Sequence, residues 1–136
     1  MFSFLEKNKK YLVYTPLVVY WIILFISTSL PLESVPSVGL SDKFMHTVAY
    51  SGLGVLLYLT LSFQRKYQKL YEYPIRFTLI IGTSYAIVDE LHQLLVPGRK
   101  CDIVDMVADG IGLLIGLLLI IVVRKIDSLK TGNLKT

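Results

Sequence analysis

Four runs of apolar residues, Leu12–Leu30, Met45–Phe63, Ile75–Val96 and Ile103–Val123, take up most of this chain. Each approaches the length of about 20 residues that an α-helix needs to cross the hydrocarbon core of a bilayer. Lipid offers no hydrogen bonds to a backbone, so such runs fold as helices, which satisfy their own N–H and C=O groups. A composition of 54% hydrophobic and 18% charged residues is also more apolar than a soluble domain carries. The expected fold class is all-α: a polytopic membrane protein, a four-transmembrane-helix bundle. The connectors leave no room for a soluble domain, so residues 1–136 read as a single membrane domain.

Lys7, Lys9 and Lys10 precede the first run and imitate the basic start of a secretory signal. The run is too long for one, and Ser27-Thr28-Ser29-Leu30-Pro31 is a poor cleavage site, so an uncleaved helix is expected. The lone cysteine, Cys101, has no partner for an internal disulfide and no companions for a thiolate metal site. If the runs alternate in direction, Lys7, Lys9, Lys10, Arg65, Lys66, Lys69, Arg76, Arg124, Lys125, Lys130 and Lys135 share one side. Only Lys43, Arg99 and Lys100 fall on the other. The positive-inside rule then places the basic side and both termini in the cytoplasm. Topology thus accounts for the net charge of +4 without nucleic acid, and Tyr67, Tyr71 and Tyr73 read as an interfacial aromatic belt. The acidic residues divide the other way: Glu33, Asp42, Asp89, Glu90, Asp102, Asp105 and Asp109 lie at or near the outer ends of the runs.

Several of these acids lie where lipid would penalise them. A charged side chain at the centre of a spanning helix costs roughly 2.5 to 3.5 kcal/mol, so such residues face a bundle interior or a wet cavity. In the second run Asp42, His46 and Tyr50 recur every four residues and form one stripe, with Lys43 beside it. Asp42 has two open readings, helix cap or site residue, and Ser41 would cap equally well. In the third run Asp89, His92 and Gln93 share a face while Glu90 points to one side, and either acid is a candidate for the bundle centre. The Pro97-Gly98 pair stops this run and leaves Arg99 at the outer mouth, suited to a phosphate or to a salt bridge with Asp102 or Asp105. In the fourth run Asp102, Asp105 and Asp109 share a face, and Ala108, Gly112 and Gly116 continue below as a small-residue series that serves helix packing.

At 1.5 Å rise per residue, Glu90 and Asp109 reach similar depths, about 9 to 10 Å from the outer ends of their helices, with His46 slightly shallower. Facing lipid separately, these groups would cost more than about 10 kcal/mol in all. A shared, outward-opening polar pocket avoids that cost. Crowded carboxyls there should hold protons more tightly unless a cation compensates. A divalent metal on Asp89, Glu90, Asp105 and Asp109 with His46 or His92 is one such cation, although the spacing matches no standard ligand motif. Interhelical polar contacts that only hold the bundle together are the plainer alternative. Ser41, Ser51 and Ser84 lack the setting of a hydrolase nucleophile.

Asp42-Lys43-x-x-His46-x-x-x-Tyr50, Asp89-Glu90-x-His92-Gln93, Val96-Pro97-Gly98-Arg99 and Asp105-x-x-x-Asp109-x-x-Gly112-x-x-x-Gly116, in that order, resemble the VanZ-like family of small bacterial membrane proteins. The family often carries Asn where this chain has Asp109. Its founding member is associated with low-level resistance to teicoplanin, a glycopeptide that targets a lipid-linked cell-wall precursor. The resemblance implies a cell-envelope protein whose pocket binds or modifies an anionic lipid or a lipid-linked glycan. Within that pocket His46, Asp89, Glu90, His92 and Asp105 are the candidate catalytic residues. Asp42, Lys43, Tyr50, Gln93, Arg99 and Asp109 are the candidates for substrate contact. An enzyme of this kind would use acid/base or metal-assisted chemistry. The alternatives are a non-catalytic accessory protein that alters exposure to drug or precursor and, less favoured, a proton or ion pathway.

Overall fold

A computed structural model describes residues 1–31 and 41–132; Glu33 and Lys135, assigned to sides above, lie outside them. All the regular structure of the described residues is helical: α1 (Phe2–Lys7), a π-helical turn (Lys10–Tyr14) leading into α2 (Thr15–Ser29), α3 (Asp42–Phe63), α4 (Gln68–Glu72), α5 (Pro74–Gln93) and α6 (Ile103–Gly132).

Local chemistry sets the boundaries. Pro16 has no N–H to give to the turn before it, and the helix meets this by widening just upstream, where Thr15 N–H reaches back five residues to the Lys10 carbonyl. Pro31 ends α2, because the residue before a proline is driven out of helical conformation and Leu30 is extended at φ −78° and ψ 135°. Ser41, not Asp42, caps α3: its Oγ accepts from Phe44 N–H at 3.3 Å. Pro74 opens α5, where a missing N–H costs nothing. After Gln93 the chain turns through Val96-Pro97-Gly98-Arg99, with Gly98 at φ 77° and Arg99 N–H bonded to the Val96 carbonyl at 3.1 Å. Asp102 caps α6, its Oδ1 accepting from Val104 N–H at 2.8 Å.

Three segments, Lys10–Ser29, Asp42–Phe63 and Ile103–Lys130, are long and apolar enough to cross a membrane. The chain is therefore a multi-span membrane-helix bundle. The 20-residue α5 has the length expected of a fourth span but not the apolarity. Arg76, Thr78, Asp89, Glu90, His92 and Gln93 dilute it, and four of these are buried against other helices.

Neighbouring pairs define the directions. Along α3 and α6, Lys43 meets Asp105, His46 meets Asp109 and Tyr58 meets Arg124, so these helices run parallel. Likewise α2 and α5 run parallel, from Trp21 against Tyr85 to Ser29 against His92. The two pairs are antiparallel to each other, with Tyr20 of α2 donating to the Ala49 carbonyl of α3 and Leu113 of α6 lying over Gly82 of α5.

The α3–α6 contact is the closest in the bundle. A Cβ at Gly112 would strike the Thr47 carbonyl oxygen, and one at Gly116 would strike that of Ser51. Thr47 Oγ1 crosses the same seam to the Ala108 carbonyl at 3.3 Å. This is the packing role that the small-residue series leads one to expect. One apolar core, around Leu17, Leu53, Leu57, Ala86 and Leu113, fills the middle; a second, around Val13, Tyr58, Phe63 and Leu117, fills the basic end. Outward-facing Val18, Ile22 and Ile26 of α2 and Leu114, Leu118 and Val122 of α6 form an apolar exterior. That exterior suits lipid.

Candidate functional site

At the end of the bundle opposite the basic connector, the first turns of α3 and α6 and the last turns of α2 and α5 come together. Lys43 of α3 spans two acids of the α6 start, with Nζ 2.8 Å from Asp105 Oδ1 and 3.1 Å from Asp102 Oδ2. The Val104 N–H, and after it the Lys43 ammonium, hold the Asp102 carboxyl below the usual carboxylate range. One turn deeper, His46 Nδ1 lies 2.9 Å from Asp109 Oδ1, with Asp109 wholly buried. Tyr50 follows one further turn down, 2% exposed.

The two acids of α5 diverge. Glu90, wholly buried, faces α6: its Oε2 accepts the Asp102 backbone N–H at 2.8 Å and its Oε1 accepts Gln93 Nε2 at 3.2 Å. Asp89 faces α2, where Thr28 Oγ1 donates to its Oδ1 at 2.7 Å. His92 sides with Asp89, stacked on Phe25 at 5.0 Å between ring centres and 3.0 Å from Ser29 Oγ through Nε2. The face shared by Asp89, His92 and Gln93 in the helical spacing is therefore split: Gln93 belongs with Glu90. A full helical turn is 3.6 residues, so steps of three and four diverge enough to meet different neighbours.

Arg99 makes no salt bridge with Asp102 or Asp105 among the described residues. Its Nε donates to the Leu30 carbonyl at 3.2 Å and its Nη2 to the Ser27 carbonyl at 3.0 Å. A cation there satisfies carbonyls left over at the C-terminal end of α2 and complements its dipole. Lys43 is the residue paired with Asp102 and Asp105.

Among the described residues, two groups have donor atoms close enough to share a metal ion: Asp42, His46 and Asp105, and, deeper, His46, Glu90 and Asp109, all ligand atoms in each group lying within 4.8 Å of one another. Such mixed carboxylate and imidazole sets suit divalent ions. Asp109 Oδ2 and the Tyr50 hydroxyl, both buried, have no hydrogen-bond partner among the described residues. The His46–Asp109 contact also has acid/base potential, since a carboxylate on Nδ1 orients the ring and leaves Nε2 to exchange a proton.

Of the expected site residues, Lys43, His46, Glu90, Gln93, Asp105 and Asp109 form one connected cluster, exposed Asp42 stands at its rim, and Tyr50 is buried one turn below His46. Asp89 and His92 form an adjoining cluster with α2. Glu90 and Asp109 are enclosed, so the polar groups meet one another where an open pocket was expected. Thr28, Ser29 and Thr47 are not among the site residues expected from the sequence, yet each makes an interhelical bond here. Thr28 and Ser29 had one signal: hydroxyls closing an apolar run, at the level of the acids.

A multi-span membrane protein with a buried carboxylate–histidine cluster at one end is the class that fold and site define. The chain matches the VanZ/LLP1 family over residues 5–124 and belongs to that family. No curated protein and no solved structure matches it.

Proposed function

We propose that this VanZ/LLP1 family member is a cell-envelope protein of the bacterial inner membrane that binds or modifies an anionic lipid or a lipid-linked cell-wall glycan. Residues 1–136 act as one domain with four crossings, α5 being the fourth, its acidic face covered by its neighbours. Both termini are cytoplasmic and the polar cluster lies at the outer face. The observation that carries the reading is the convergence of His46, Glu90 and Asp109 from three helices at one depth, enclosed at the end of a bundle whose exterior is apolar. Burying such groups without use costs stability. His46, oriented by Asp109, would serve as acid or base, and Arg99 and Lys100 place positive charge at the same end of the bundle. Altered glycopeptide sensitivity would follow from a changed lipid-linked precursor.

A non-catalytic accessory role is the second reading. It is favoured by the internal pairing of Lys43, Asp89 and Glu90, which already gives those groups a structural use. Lipid extracts of cells with and without the protein, compared by mass spectrometry, separate the two. A species gained or lost with wild type but not with His46→Ala supports turnover. Identical extracts leave the accessory role.

A further inference from the structure

We propose that the inner group, His46, Glu90 and Asp109, is a binding site for one divalent transition-metal ion, Zn²⁺ or Mn²⁺ in preference to Mg²⁺ or Ca²⁺. For the use of such an ion, to bridge the cluster to a headgroup phosphate, the inference rests on the function proposed above. Ion binding itself stands apart from it.

Three observations converge on this group. Its donor atoms lie within 4.8 Å of one another. Ligands at about 2.0 to 2.2 Å around one tetrahedral ion are about 3.3 to 3.6 Å apart, so side-chain adjustments of about 1 Å would bring the three donors onto an ion. Asp109 is wholly buried, and its Oδ2 has no hydrogen-bond partner among the described residues. The Tyr50 hydroxyl, one turn below His46, is buried and without a hydrogen-bond partner among the described residues as well. Unpaired polar atoms are costly in a membrane interior, and an ion with its bound water would satisfy them.

The outer group is a poorer host. Lys43 Nζ holds its Asp105 at 2.8 Å, which sets a positive charge where the ion would sit, and its Asp42 is exposed. No lysine or arginine bonds to His46, Glu90 or Asp109 among the described residues. Glu90 is moreover held in place by the Asp102 N–H and Gln93, the kind of outer support that orients a metal ligand. One imidazole among carboxylates selects the ion class: Mg²⁺ and Ca²⁺ favour all-oxygen sets, whereas Zn²⁺ and Mn²⁺ accept nitrogen.

The test uses the whole protein purified in detergent, stripped with chelator and titrated with Zn²⁺, Mn²⁺, Co²⁺ and Mg²⁺. One Zn²⁺ or Mn²⁺ per chain is expected, a raised melting temperature with either, and visible absorption bands from Co²⁺ that Zn²⁺ abolishes. Glu90→Gln, Asp109→Asn and His46→Ala should each weaken binding by at least the about tenfold that loss of an outer support costs. Asp42→Asn should leave the titration unchanged. The site is overturned if wild type takes up no ion, if Mg²⁺ binds as tightly, if all three inner variants titrate like wild type, or if Asp42→Asn alone abolishes binding. Should the inner variants fail to fold, the wild-type Co²⁺ spectrum decides. Unchanged lipid extracts alongside stoichiometric ion binding would overturn turnover while leaving the site intact.

Discussion

Asp89 and Glu90 adjoin in the chain yet answer to different helices, one bonded to Thr28 of α2 and the other to the start of α6. That an acid pair inside an apolar run must turn inward was legible from insertion cost alone. Which acid meets which helix was not, because successive residues on a helix point about 100° apart and the neighbours on either side are unknown from one strand of sequence. Thr28→Val should therefore leave a buried carboxylate without its donor and destabilise the protein by about 1 to 3 kcal/mol, while Thr28→Ser restores the bond. Thermal melts of the two variants in detergent check this. Asp102 makes a different prediction, through pH. Its carboxyl is held low chiefly by the Val104 N–H and then by Lys43. It therefore adds stability above the unfolded carboxyl value of about 3.9, and that contribution disappears as pH falls through the lower folded value. A melting-temperature profile against pH should lose this part of its acid limb in Asp102→Ala.

At the level of whole helices, α3 and α6 are held at a distance that their small residues permit. Gly112 and Gly116 are readable as a packing series, but their use depends on the facing backbone, which periodicity does not reveal. Space separates them from Gly110, where an added Cβ meets nothing within 4 Å. Gly116→Ala would push a methyl into the Ser51 carbonyl and should cost about 1 to 3 kcal/mol. Gly110→Ala should be neutral or stabilise by up to about 1 kcal/mol, since alanine is the better helix former. Chemical or thermal unfolding in detergent would rank the pair. Equal behaviour would contradict the close α3–α6 crossing. The reading of α5 shows the reverse limit: its existence and length were evident, but its polar residues, evident too, keep it below the apolarity of a free-standing span.

For the molecule as a whole, the separation of basic and acidic ends was visible in the order of charges, and the proposed orientation follows from it. Cys101, the one cysteine of the chain, lies beside the acidic end, next to the Asp102 cap. A membrane-impermeant maleimide should label it in intact spheroplasts. Tyr67→Cys in a Cys101→Ser background, in the basic connector, should label only after permeabilisation. Labelling in the opposite sense would invert the proposed topology and place the cluster in the cytoplasm.

The pairing of α3 with α6 also has a consequence in time. Lys43 and His46 leave the ribosome 59 and 63 residues before Asp102 and Asp109, the partners that neutralise or orient them. At about 5 to 20 residues per second, that is an interval of roughly 3 to 13 s. During it, a lysine and a histidine at the mouth of α3 and the Thr47–Ser51 flank against which Gly112 and Gly116 pack have no helix to lie against. A nascent chain halted before α6 is thus left with an unmatched polar edge in lipid, a distinction that insertion and proteolytic machinery can read between a finished copy and an interrupted one.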